Sequence, residues 1–376
     1  MHFDRWVLRF LHAEKINLFC PKRLFLPILN IYTNLMENVK NGLTDLLNID
    51  FPLIVAPMFL VSNEAMTIAA LQSGVTACIP ALNWRTDQAM RQGIASIRAQ
   101  TKGPIGINLI VNKSNIHYKR QLATCADLGV DYIITSLGSP KEVIEVCKPL
   151  GIKVFCDVVN ADYARKVEDL GCDALIAVNK EAGGHAGPLM SKELIPQLKE
   201  ACTLPVISAG GVGNGAGIWA RIHGDGAIGV SMGSPFIATT EAPVSEDYKQ
   251  ACVDYGAKDI VLTTKISGSP CTVINTPYVQ KIGTQQNAIE RILSKNKRLK
   301  KYVKMLTYSK GMKSVEKAAF SATYKTVWCA GPSIEYTKSI ESVSTIVERL
   351  KEEYKAVAEN PELQKEALTS SLVQRH

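Results

Sequence analysis

The sequence predicts an α/β protein: a (β/α)8 barrel of the TIM type, with an inserted, mainly helical lobe after the eighth strand. Three observations predict it. Eight short, nearly continuous apolar runs alternate with helix-length segments between residues 52 and 232. Glycine-rich loops follow the sixth, seventh and eighth runs. A last amphipathic segment, Ser339 to Ala356, arrives only after a long interruption.

The runs are PLIVAP (52–57), VTACIP (75–80), PIGINLIV (104–111), DYIITS (131–136), KVFCDVV (153–159), DALIAV (173–178), LPVISA (204–209) and DGAIGVSM (225–232). Apolar throughout and bounded by Gly or Pro, they suit a parallel sheet covered on both faces. The intervening segments open on capping residues: Ser62-Asn63 before EAMTIAALQ, Thr86-Asp87 before QAMRQGIASIRAQ, and Ser191 before KELIPQLKEAC. DLGVD (127–131) and DLGCD (169–173) repeat one junction, in which the glycine closes a helix before the next strand. A doubly wound sheet usually stops near about five or six strands, so eight units point to a barrel. In the final segment Ile340, Val343, Ile346, Val347 and Leu350 recur at helical spacing and are expected to pack back onto the barrel. The expected organisation is therefore a barrel from 36–233 and 331–358, a lobe from 234–330 over the mouth of the strands, and a tail from 359–376. The lobe includes a Lys-rich helical stretch near 285–304. Residues 1–35 lack the long apolar core and small-residue cleavage site of a signal peptide, and read as an extension before Met36.

Composition narrows the function. With 46% hydrophobic and 21% charged residues, the 376-residue chain is expected to bury a core and not to be disordered. Its net charge of +8 is spread thinly. The nearest basic tract, Lys295 to Lys301, reads as a solvated helix face, so no nucleic-acid partner is expected. No apolar stretch reaches the ~18 residues of a membrane span. Ten cysteines are scattered without a C-x-x-C, several inside apolar runs, as at Cys78 and Cys156. That pattern suggests neither a metal site nor a disulfide framework and fits a reducing, cytoplasmic location.

In a barrel of this kind the chemistry sits in the loops after the strands. After the sixth run comes Asn179-Lys180-Glu181-Ala182-Gly183-Gly184-His185-Ala186-Gly187-Pro188. Paired glycines let the backbone pass close to a flat ligand, and the imidazole that follows is a proton acceptor suited to neutral pH. Of six histidines only His185 occupies such a place: His2, His12 and His376 lie near the termini, His117 opens a helix, and His223 precedes a turn. The seventh and eighth loops carry Gly210, Gly211, Gly213, Gly233 and Ser234, the composition of a phosphate site built from backbone N–H groups. Met58, after Ala56 and Pro57, is placed to lie against a ring system, and Asn108 offers an acceptor and donors to a heterocycle.

APM (56–58), GINLIV (106–111), EAGGHAG (181–187), ISAGGVG (207–213) and VSMGSPFIAT (230–239) resemble, in order and spacing, the nitronate monooxygenase (2-nitropropane dioxygenase) family, with coverage from about Met36 to Val357. TVWCAGPSIEYTKS (326–339) resembles the family's Ala-Gly turn before the last helix. The resemblance implies non-covalent FMN, with its phosphate on Gly210, Gly211, Gly233 and Ser234 and its ring against Ala56, Pro57, Met58 and Asn108. It implies further cofactor contacts from Asp157, Gly187 and Met232, and His185 as the catalytic base. Ala186 stands where members often carry Arg or a bulkier residue, and Ser234-Pro235 where they carry Thr and Arg. The implied reaction is oxidation of alkyl nitronates, and of their parent nitroalkanes, by O2 to a carbonyl compound and nitrite. The alternatives are an FMN-dependent enoyl-acyl carrier protein reductase using NAD(P)H and a non-catalytic flavin- or phosphate-binding protein. An inosine-monophosphate-dehydrogenase-like barrel needs a cysteine in a Gly-rich active-site loop, and none of the ten sits in one. Both a monomer and a homodimer suit the sequence.

Overall fold

The computed structural model describes residues 42–113, 115–264, 270–285 and 327–373. The chain divides into two compact units, Met1–Asn41 and Gly42–His376, and all described residues belong to the second. The extension at 1–35, the start at Met36 and the basic tract Lys295 to Lys301 lie outside the described residues.

Each of the eight apolar runs contributes one parallel strand. In order these are β1 (Leu53–Val55), β2 (Thr76–Pro80), β3 (Ile105–Ile110), β4 (Tyr132–Ser136), β5 (Lys153–Val158) and β6 (Ala174–Val178). A two-residue strand outside the barrel, β7 (Gly184–His185), comes next, followed by β8 (Val206–Ala209) and β9 (Gly229–Met232). The barrel closes where Val55 of β1 pairs with Met232 of β9. Every residue of β1 and β2 is buried, as strands covered on both faces require.

Helices cover the barrel where the sequence places them. The helix α1 (Leu43–Leu47) precedes β1. Asn63 caps α2 (Glu64–Gln72) by accepting from the Met66 N–H at 2.8 Å, and Thr86 caps α3 (Asp87–Gln100) by accepting from Ala89. The helices α4 (Tyr118–Leu128), α5 (Lys141–Cys147) and α6 (Ala161–Asp169) follow. In α7 (Ser191–Ala201) the expected cap moves. Ser191 is the first helical residue, and its hydroxyl donates to Asp225 Oδ2 at 3.0 Å, while the Met190 N–H donates to Glu193. A buried carboxylate has taken the serine that local sequence assigns to the cap.

The short α8 (Gly215–Ala220) packs against α11 (Val343–Glu359), which also covers α2 and buries Val343, Ile346, Val347 and Leu350. The last amphipathic segment thus supplies the closing helix. It starts later than its periodicity suggests because Glu341 bridges to Thr239 and holds the preceding residues extended, leaving Ser342 to cap. Within the C-terminal tail, α12 (Pro361–Val373) packs Ala367 beside Trp219 and Val357.

Between 234 and 330 the described residues hold α9 (Glu246–Asp254), β10 (Ile260–Thr263), β11 (Cys271–Ile274) and α10 (Pro277–Ile282). They are mixed in structure where a mainly helical lobe was expected, because β10, β11 and β7 form an antiparallel sheet. No described helix is long and apolar enough to cross a membrane.

The inside of the barrel is filled towards the N-terminal ends of the strands by Ile54, Cys78, Tyr132, Phe155 and Ile207, with Leu43 and Leu47 of α1 packed among them. Tyr132 is fully buried, stacks on Phe155 with ring centroids 5.2 Å apart, and shares a 3.1 Å hydrogen bond with Thr76 Oγ1. Its ring lies directly against Gly106 of β3, where any Cβ would collide with it. Gly106→Ala is therefore expected to overpack the core and lower stability by about 1–3 kcal/mol. An unchanged denaturant midpoint would contradict this packing.

Candidate active site

A cavity of about 620 Å3 opens at the C-terminal ends of the strands, opposite the packed aromatic floor. It gathers Ala56, Pro57 and Met58 after β1, Asn108 from β3, Asp157 from β5, His185 from β7, Gly210 after β8, and Met232, Gly233 and Ser234 at the end of β9. Two expected residues stand behind its wall. Gly187 lets the chain after His185 fold tightly against the Val178 carbonyl at the end of β6, with its N–H on Asn179 O at 3.1 Å. Gly211 packs its Cα against the Glu181 carboxylate.

His185 is positioned by pairing. In the β7–β11 ladder His185 lies opposite Cys271 and Gly184 opposite Thr272. Thr272 Oγ1 then donates to Ala182 O at 2.6 Å, which ties the glycine loop to β11 a second time. The imidazole stands exposed at the cavity wall on a backbone held from both sides.

The two glycine loops meet across the cavity from it. Gly210 and Gly211 take φ values of +112° and +75°, which side-chain-bearing residues rarely adopt. The buried Asn179 ties this turn to the histidine loop, donating to Gly210 O at 3.0 Å and accepting from the Glu181 N–H at 2.8 Å. Ser234 Oγ accepts from the Gly331 N–H at 2.8 Å and retains its own proton for donation. Among the described residues no backbone carbonyl accepts from the N–H groups of Gly211, Gly233 or Ser234. Unengaged N–H groups beside a hydroxyl form an anion cradle.

On the strand ends Asn108 Nδ2 spends both hydrogens, on Ile134 O at 3.0 Å and Ser136 Oγ at 2.7 Å, which leaves Oδ1 to meet a ligand. The Ser136 hydroxyl donates a hydrogen bond to Asp157 Oδ2 at 2.5 Å. Burial pushes the Asp157 carboxyl up to about 6, against the opposing effect of the Ser136 hydrogen bond. A carboxyl raised in the folded state holds a proton that the unfolded chain has released. Stability therefore falls as pH rises from the unfolded carboxyl value of about 3.9 to about 6. Asp157→Asn keeps the acceptor for Ser136 and removes the charge. It is expected to stabilise the protein above pH ~6, by on the order of 2 kcal/mol, and to leave it little changed below pH ~4. Melting temperatures across that range check this, and a pH-independent difference would contradict it.

Residues 40–353 match the family model described as nitronate monooxygenase. The chain belongs to the nitronate monooxygenase family. Among curated relatives it is 28% identical over 286 residues to a probable nitronate monooxygenase of Staphylococcus haemolyticus, covering 64% of this chain and 80% of the relative. It is also 28% identical over 247 residues to (3aS,4S,5R,7aS)-5-hydroxy-7a-methyl-1-oxo-octahydro-1H-indene-4-carboxyl-CoA dehydrogenase of Rhodococcus jostii, covering 66% and 69%. Of solved structures, FabK from Thermotoga maritima superposes with a TM-score of 0.73 at 27% identity, over 84% of this chain and 96% of that one. Nitronate monooxygenases are oxidoreductases of the flavin-dependent kind. The residues present fit such a group: the N–H cradle and Ser234 suit its phosphate, and the apolar wall with the Asn108 carbonyl suits its ring.

For this family member the sequence reading missed three contributors. Asn179 and Ser136 are polar residues in short loops or at strand ends, and nothing local marks either one as shared between neighbouring strands. Arg221, at the C-terminal end of α8, is buried and reaches Asp225 at 3.1 Å and Glu181 at 3.6 Å. Glu181 lines the cavity. Burial pushes its carboxyl up, partly countered by Arg221.

Proposed function

We propose that the protein is an FMN-dependent nitronate monooxygenase that oxidises alkyl nitronates, and their parent nitroalkanes, with O2 to a carbonyl compound and nitrite. The observation that carries this reading is the cavity itself: His185 on one wall, the N–H cradle of the seventh and eighth loops on another, and apolar strand ends between them. In this reading the N–H groups of Gly210, Gly211, Gly233 and Ser234 would hold the FMN phosphate. Ala56, Pro57 and Met58 would support its ring, Asn108 Oδ1 would offer it an acceptor, and Met232 lines the same part of the cavity. Bound FMN supplies electron transfer from the substrate carbon to O2, which no side chain provides. His185 takes the α-proton of a nitroalkane onto a ring nitrogen, and the resulting imidazolium steadies the anionic nitronate. Leu82, Ile110, Val159 and Val327 give the cavity an apolar wall suited to the alkyl part of such a substrate. Nine free cysteines among the described residues suit a reducing compartment such as the cytosol.

A second reading, reduction of an enoyl thioester at the expense of NAD(P)H, draws on the likeness to FabK and on the relative named for a carboxyl-CoA compound. Flavin spectroscopy on the purified protein separates the two. Propionate-3-nitronate added without oxygen is expected to bleach the flavin, and air to restore its colour with release of nitrite. Bleaching by NADPH alone would favour the thioester reading, and a preparation that binds no FMN would overturn both.

A further inference from the structure

Two cysteines face each other in the cavity wall. Cys271 belongs to β11, and Cys329 lies in the segment leading to Gly331; their Sγ atoms are 3.8 Å apart. Both line the cavity. Cys271 is buried, whereas Cys329 is partly exposed, alone in this respect among the described cysteines. Each backbone is anchored to a neighbouring element. Cys271 pairs with His185 across the β7–β11 ladder, and the Cys329 carbonyl accepts from Tyr248 Oη at 2.6 Å. A disulfide needs its sulfurs at about 2.05 Å, so closing the bond requires side-chain rotation and a local approach of the two segments.

We propose that Cys329 and Cys271 form a peroxide-reactive dithiol, with Cys329 as the attacking sulfur and Cys271 as the resolving one. Cys329 Sγ attacks the O–O bond of hydrogen peroxide and becomes a sulfenic acid, releasing one water. Cys271 Sγ then displaces the hydroxyl as a second water and closes the disulfide. Overall two thiols lose two electrons and two protons, and one hydrogen peroxide becomes two waters. The division of roles follows from position. Contact with the Cys329 thiol and then burial push the Cys271 thiol up, which keeps it protonated until a partner reaches it. Cys329 meets the cavity, whose half-buried wall admits a small oxidant. The bond would join the strand that pairs with His185 to the segment whose Gly331 donates to Ser234, so both sides of the site are tied to it. The dithiol requires neither nitronate nor flavin turnover and stands or falls apart from the proposed reaction.

The test treats the reduced, folded protein with hydrogen peroxide, blocks the remaining thiols and maps the peptides without reduction. The expected product is a Cys271–Cys329 link, lighter by two hydrogens and reversed by dithiothreitol. In Cys271→Ala a sulfenic acid is expected to persist at Cys329, where dimedone captures it. In Cys329→Ala, oxidation of Cys271 is expected to slow by at least about tenfold, since the accessible sulfur is gone. Absence of the link in the wild-type protein overturns the proposal, as does preferential linkage of another pair such as Cys156 and Cys172. Oxidation of Cys271 at the wild-type rate in Cys329→Ala would overturn the assignment of Cys329 as attacker.

Discussion

Replacing His185 with alanine is expected to lower kcat/KM for a neutral nitroalkane by about 10²–10⁴-fold, the range for removing a positioned general base. For the same compound presented as its preformed nitronate the loss is expected to be much smaller. The distinction follows from the proton. A nitroalkane must surrender its α-proton before electrons can leave the carbon, whereas the nitronate has already lost it and needs only a cation nearby. The backbone that carries the imidazole is held on both sides, by the β7–β11 ladder and by the Thr272 bond to Ala182 O. His185→Ala touches neither of those backbone contacts, so the fold and the cradle should survive. Steady-state assays on one compound in both forms, each at a pH where that form persists, give the comparison. Equal losses on the two forms would mean that His185 acts by binding the anion and not by moving the proton, and unchanged rates on both would remove it from the mechanism.

The barrel was legible because it is written in short-range patterns. Runs such as TACIP or ALIAV are buried on both faces and look it, and the caps at Asn63 and Thr86 work locally. The place of His185 on the cavity wall was legible for a related reason: it follows paired glycines in a loop after a barrel strand. What the sequence hid depends on partners far along the chain. Nothing near residue 184 says that Gly184 and His185 form a strand, because their partner is Cys271. The Ser191 cap was misassigned because Asp225, 34 residues on, holds its hydroxyl. The same holds for Ser136, which matters only because Asn108 and Asp157 arrive on the adjacent strands. The motif marks Gly187 and Gly211 for the cofactor, and the fold also sets both against neighbours, Val178 and Glu181, where a side chain would collide. A motif marks which residues are constrained but not which neighbour constrains them.

Arg221 carries the largest expected effect on stability. Its guanidinium is buried between Asp225 at 3.1 Å and Glu181 at 3.6 Å, and Glu181 in turn supports the turn at Gly211. Arg221→Met fills the space of the stem but removes the cation, leaving two carboxylates in a dry setting. Removing one partner of a buried pair costs about 3–5 kcal/mol, because the charge left behind has lost both water and partner. The loss should depend on pH in a stated direction. Burial already pushes the Glu181 carboxyl up, and Arg221 is the main influence holding it down. Without that influence the folded state keeps a proton on Glu181 that the unfolded chain gives up near pH ~4.3, so the variant weakens progressively as pH rises through the folded value. Thermal melts of wild type and variant should therefore converge towards acid pH and diverge towards neutrality. Should Arg221→Met alone fail to fold, Glu181→Gln and Asp225→Asn in the same chain remove the stranded charges and are expected to recover most of the loss. A variant within about 1 kcal/mol of wild type at neutral pH would mean that water reaches the cluster and that Gly211 does not depend on it.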